Sequence, residues 1–160
     1  MYKRTFGPAT ILLFLVTSVL STSPVSAQTK RTADGGRKIA FNRVVNTPCA
    51  EKRLRLNGQF QAQYTVTSDA NGETYIKAAF DARRISAVGL DSSAKYQASG
   101  TSQFDSQGPS PIEFSYVFNF LLDRGRSPNS MMAHVKFRVA VNAKGEVRTE
   151  IIDVNIDCNQ

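Results

Sequence analysis

The sequence predicts an all-β domain: an antiparallel meander of six to eight strands closed into a small barrel or sandwich. Three observations carry that expectation. Apolar residues alternate with polar ones over long stretches, the period of a strand with one buried and one wet face. Short turn signatures such as Asp69-Ala70-Asn71-Gly72 and Asn142-Ala143-Lys144-Gly145 separate those stretches. After residue 27, no segment shows the 3.6-residue apolar spacing of an amphipathic helix.

The clearest strands lie in the last third of the 160-residue chain. Over 112–122 the even positions are apolar, from Ile112 through Phe114, Tyr116, Phe118 and Phe120 to Leu122. Over 131–141 the odd positions are apolar, and the wet face carries His134, Lys136 and Arg138. The last strand begins with Val147, Thr149 and Ile151, then changes phase to Ile152, Val154, Ile156 and Cys158. A phase change inside a strand predicts a β-bulge. Pairing Val141 with Val147 sets Phe137 opposite Ile151 and Arg138 opposite Glu150, with Ala143-Lys144-Gly145 as a three-residue loop.

The N-terminus reads differently. Lys3 and Arg4 precede an apolar run over 9–20, followed by Pro24 and the small residues Val25-Ser26-Ala27. That is the layout of a secretory signal peptide over 1–27, cleaved after Ala27. The run is too short to span a bilayer, which takes about 20 apolar residues. Removing it lowers the formal net charge from +7 to +5, because it holds Lys3 and Arg4 and no acid. The remaining chain suits a single β domain over 39–160 after a polar, flexible N-terminal arm over 28–38. The product is expected to be exported, periplasmic or extracellular, not membrane-embedded, and monomeric.

Between arm and meander, 39–45 reads as a short strand. The stretch 54–67 alternates through Leu54, Leu56, Phe60, Ala62, Tyr64 and Val66. A hairpin at Asn57-Gly58 would mix its faces, so the strand runs through, with Gly58 at a bulge or a close contact. Pairing Val66 with Ile76 sets Tyr64 opposite Ala78 and Ala62 opposite Phe80. The stretch 79–90 is irregular, and Tyr96, Ala98, Gly100, Ser102 and Phe104 form another alternating strand. A loop is expected over 106–111, and a longer polar one over 123–130 holds Arg124 and Arg126.

Cys49 and Cys158 are the only cysteines, and in an exported chain they are expected to form a disulfide. Such a bridge draws the first and last strands together. His134 is the only histidine, so a His-rich zinc site cannot be built, and no metal or other cofactor is expected. No Gly-x-Ser-x-Gly elbow or Gly-rich phosphate loop is present, and no catalytic residue is assigned. Scattered basic residues without a stripe of stacking aromatics argue against nucleic acid. Arg124, Arg126 and His134 are the candidate contacts to a ligand or partner. The expected function is a non-enzymatic binding module for an apolar small molecule, held in a barrel lined by aromatics, or for an envelope partner. The alternatives are a hydrolase-type enzyme using carboxylates and loop arginines, or a structural surface protein.

Over residues 49–158 the chain resembles a family of small secreted bacterial proteins without an assigned function. The matching pieces are Leu56-Asn57-Gly58, Thr67-Ser68-Asp69-Ala70-Asn71-Gly72, Ala94-Lys95-Tyr96-Gln97-Ala98-Ser99-Gly100, Val141-Asn142-Ala143-Lys144-Gly145-Glu146 and the terminal Cys158. The resemblance implies a secreted β domain and supplies no activity. Members of that family carry several strand histidines. Here those places hold Gln61, Tyr75 and Arg138, while His134 remains. The family's Cys-x-Gly-Glu opening is Cys49-Ala50-Glu51-Lys52, without the glycine. A role for those histidines is therefore expected to be lost in this chain.

Overall fold

The second strand, β2 (Arg53–Ser68), is paired along both edges, and the sheet grows from it. The computed structural model describes residues 31–125 and 130–158, all statements below concern these, and the segment 1–27 read as a signal peptide lies outside them. On one side of β2 lies β1 (Arg31–Asn46), antiparallel over its whole length, from Arg31 opposite Ser68 to Asn46 opposite Arg53. Residues 31–38, which the sequence suggests are a flexible arm, are therefore hydrogen-bonded strand. The polar side chains among residues 32–38 are exposed, so no apolar alternation is needed there.

On the other side, β2 pairs with β3 (Glu73–Asp81) over its second half and with β4 (Ile85–Gly89) over its first. The register shifts by one between them: Gln61 faces Asp81, but Gly58 faces Ile85. β3 and β4 are thus one run of chain interrupted by a kink at 82–84. The buried phase switches there, from Ile76, Ala78, Phe80 and Ala82 to Ile85 and Ala87, which is why 79–90 looks irregular in sequence. β5 (Lys95–Ser99) and β6 (Thr101–Pro109) are likewise one run broken at Gly100. β5 pairs with β4 and β6 with β3. The chain then turns at Ser110-Pro111, later than the loop expected from residue 106, into β7 (Ile112–Asp123), β8 (Met131–Val141) and β9 (Val147–Cys158).

The nine strands thus amount to seven runs of an up-and-down meander, all antiparallel. The expected registers hold: Val66 faces Ile76, Ala62 faces Phe80, Val141 faces Val147 and Arg138 faces Glu150. The bulge in the last strand is also present. Phe137 faces Ile151 while Lys136 faces Asp153, leaving Ile152 without a partner.

The sheet does not close by hydrogen bonds. A meander of an odd number of runs brings its first and last strands together parallel, and no ladder joins β1 to β9. The Cys49–Cys158 disulfide spans that seam instead, with 5.4 Å between Cα atoms. Closing a loop of about 100 residues contributes roughly 4.7 kcal/mol in the chain-entropy picture.

The inner faces converge on one core. Phe60 lies at its centre, with ring centroids 5.0 Å from Phe41, 5.2 Å from Phe137, 5.6 Å from Phe120 and 5.9 Å from Phe118. Phe80 stacks on Phe137 at 4.7 Å. Each fully buried ring contributes about 1.5–3 kcal/mol. Where β6 and β7 diverge, no backbone ladder joins them. Phe104 and Tyr116 stack across the gap at 4.4 Å, and Ser102 hydrogen-bonds the Tyr116 hydroxyl.

Gly58 makes the fork in the sheet possible. Its φ is +141°, and a Cβ there would sit 2.0 Å from the Arg84 carbonyl oxygen. Gly58→Ala is therefore expected to lose about 1–3 kcal/mol of stability, read from the urea midpoint of the disulfide-bonded protein. An unchanged midpoint would show that the kink relaxes freely.

Candidate functional site

The outer face of the sheet carries a concavity of about 800 Å3. It is bounded by three consecutive residues on each of four strands: 34–36 of β1, 63–65 of β2, 77–79 of β3 and 103–105 of β6. The register places them in rows. Asp34, Thr65, Lys77 and Asp105 face one another in turn, as do Gly36, Gln63, Ala79 and Gln103. Both rows have the phase opposite to the buried residues, so their side chains stand on the wet side. Thr65 donates from Oγ1 to Asp34 Oδ1 at 2.6 Å, fixing the carboxylate over β2. Lys77 Nζ lies 5.6 Å from the centroid of the Tyr75 ring, which draws the ammonium to one side of the row. The row between them, Gly35, Tyr64, Ala78 and Phe104, faces inward and supplies the floor through its backbone. At Gly35 a Cβ would lie 2.6 Å from the Tyr64 ring, so a larger residue there requires that ring to move.

A second cavity, of about 460 Å3, lies over β4, β5 and the end of β7. Arg124, one of the arginines expected to meet a ligand, lines it beside Tyr96 and Lys95. Beneath it is the one buried carboxylate among the described residues, Glu51. Its side chain accepts from Ser92 Oγ and lies 3.5 Å from the Tyr96 hydroxyl. Burial first, then the Glu51 charge, push the Tyr96 hydroxyl above its ordinary value, and Arg124 opposes the shift. The chain on either side of Glu51 is tied down. Thr47 donates from Oγ1 to the Glu51 carbonyl at 2.6 Å, and Cys49 N donates to Thr47 Oγ1 at 2.9 Å. Glu51 thereby fastens the disulfide-bearing loop to the β4–β5 turn, where a Cβ on Gly89 would overlap its carboxylate.

The other sequence candidates are not gathered with Arg124. His134 stands on the outer face of β8. Its Nδ1 is 2.8 Å from Asn119 Oδ1, and its Nε2 is 3.1 Å from Asp157 Oδ2 without the alignment of a hydrogen bond. Among the described residues, the contacts of its ring nitrogens are to Asn119 and Asp157, an amide and a carboxylate. Arg126 lies outside the described residues. Several of the scattered acids are held by neighbouring basic groups: Asp81 by Arg83, Asp91 by Arg53, and Glu113 and Glu150 by Arg138. Among the described residues no three metal-ligating groups cluster. The interior expected to hold an apolar ligand is filled by Phe41, Phe60, Phe118, Phe120 and Phe137, all fully buried.

The basin escaped the sequence reading because each of its side chains is ordinary on a wet strand face. Alternating glutamines at 59, 61, 63 and again at 103 and 107 are the only hint of it. Glu51 escaped because a short loop has no periodicity to show that a residue is buried.

The fold and its sites define an all-β protein with a disulfide-stapled sheet. No helix among the described residues is long and apolar enough to cross a membrane. No family model matches the chain, and neither a curated protein nor a solved structure matches it significantly.

Two tests separate structural from functional roles. Glu51→Ala removes the carboxylate acceptor of the Ser92 and Tyr96 hydroxyls and leaves a void beside Gly89. It is expected to lower stability by about 1–3 kcal/mol, measured by thermal and urea unfolding, whereas Glu51→Gln should recover much of that loss. The Arg83 guanidinium holds the Asp81 carboxyl below its ordinary value of 3.8. Because the folded value is depressed, Asp81's stabilisation is fully present above the ordinary value and is lost as pH falls through the folded one. The stability gap between the protein and Asp81→Asn should therefore be level above about pH 5 and shrink below it. Urea unfolding across that range checks this, and a gap that widens toward acid would contradict it.

Proposed function

We propose that this chain is an exported, non-enzymatic binding module that engages an envelope partner through its outer surface rather than carrying an apolar molecule inside. The observation that supports this reading is where the space lies. Buried rings pack on one another in the interior, while a concavity of about 800 Å3 sits on the polar face of β1, β2, β3 and β6. An apolar cargo would have to displace buried side chains, and overfilling a packed core costs about 1–3 kcal/mol or more. Export is supported by the signal-like segment at 1–27 and by the disulfide between Cys49 and Cys158.

Native mass spectrometry of the protein taken from its own host tests the reading in one experiment. The expected species begins at Gln28, carries the mass of one disulfide and releases no apolar molecule on denaturation. In parallel, a panel of fatty acids and apolar dyes should leave the melting temperature unchanged. Released lipid, or dyes that raise the melting temperature in proportion to concentration, would return the binding site to the interior. A retained leader would remove the exported part of the reading.

A further inference from the structure

We propose that the basin on β1, β2, β3 and β6 is a binding site for an uncharged oligosaccharide. This rests on the reading of the domain as a binding module. In the row Gly36, Gln63, Ala79 and Gln103, two amides flank one methyl group. Gln63 and Gln103 are two strands apart, roughly 9–10 Å between backbones. That gap admits a pyranose ring lying with its C–H face on the Ala79 methyl. Each amide then offers one carbonyl acceptor and two N–H donors to ring hydroxyls, the mixed capacity that vicinal diols require. The parallel row adds Asp34 and Asp105 as acceptors and Lys77 as a donor. The basin is open at the surface and spans four strands, about 14 Å across three inter-strand spacings. A chain of two or three sugars can therefore lie across it and continue beyond both ends. Gly36 leaves the β1 end of the amide row without a side chain.

Charge and polarity disfavour an anionic or an apolar occupant. Two aspartates against one lysine leave the basin with an excess negative charge on a chain whose formal net charge is +7. A phosphate or other polyanion would be repelled locally and drawn to the rest of the surface. An apolar ligand would meet amides, carboxylates and exposed backbone, and would desolvate them without replacing their hydrogen bonds. A neutral, hydroxyl-rich ligand satisfies both rows.

The test is a chemical-shift titration of the 15N-labelled, disulfide-bonded protein with cellohexaose, maltohexaose and chitohexaose. At least one should give saturable shifts confined to 34–36, 63–65, 77–79 and 103–105. Ala79→Gln fills the slot on an exposed strand face without adding charge. It should weaken that binding about tenfold or more, and Gln63→Ala combined with Gln103→Ala should do the same. Spectra of the free variants should otherwise overlay on the parent, which separates loss of the site from loss of the fold. Shifts outside the basin, binding that Ala79→Gln leaves intact, or no shift with any of the three sugars would overturn the assignment. Oligolysine or polyphosphate saturating the basin where the sugars do not would also overturn it, yet leave the binding-module reading standing. That reading falls separately, on the released cargo of the mass-spectrometric experiment.

Discussion

The architecture depends on one backbone contact, the approach of Arg84 to Gly58. It lets β2 hold two partners in succession on a single edge. The run containing β3 and β4 slips by one residue at 82–84, and its inward phase changes there. The second half of β2 is thereby committed to β3 and, beyond it, β6. The first half is committed to β4 and β5, which lead to β7. The wet face of the β1–β2–β3–β6 patch, where the basin lies, exists because the sheet divides at this point. A side chain at position 58 would collide with a carbonyl that already accepts from Gln59 N at 3.3 Å.

The seam between the first and last runs follows from parity. Seven antiparallel runs leave β1 and β9 pointing the same way, and the hairpin logic that joins every other neighbour cannot join these two. The disulfide supplies the link, and the loop that bears Cys49 is held in turn by Thr47 and Glu51. Arg37, Lys38 and Arg43 of β1 are exposed and put positive charge beside this seam.

Inside and outside have divided their roles. The aromatic rings that suggested a ligand-lined barrel meet one another at 4.7–6.2 Å around Phe60 and Phe80 and fill the interior. The polar face, built from glutamine, threonine, lysine and aspartate, carries the space instead. Arg124 does line a cavity, where it acts on the Tyr96 hydroxyl. His134 is held between Asn119 and Asp157.

What the sequence determined by itself was whatever a period of two and a short turn can encode. The all-β class, the hairpin registers around Gly72 and Gly145, the bulge at Ile152 and the passage of β2 through Gly58 all follow from local alternation. A one-residue slip there would turn a whole apolar face to water. The pairing of Cys49 with Cys158 follows from there being no other choice. Tertiary structure alone decided that 31–38 joins the sheet, that the buried rings pack on one another at the core, and that Glu51 is buried. It also decided that Asp34, Gln63, Ala79 and Gln103 meet in one basin. Each of these depends on contacts between residues far apart in the chain, and wet-face side chains carry no signal of which neighbours they will face until the strands are laid side by side.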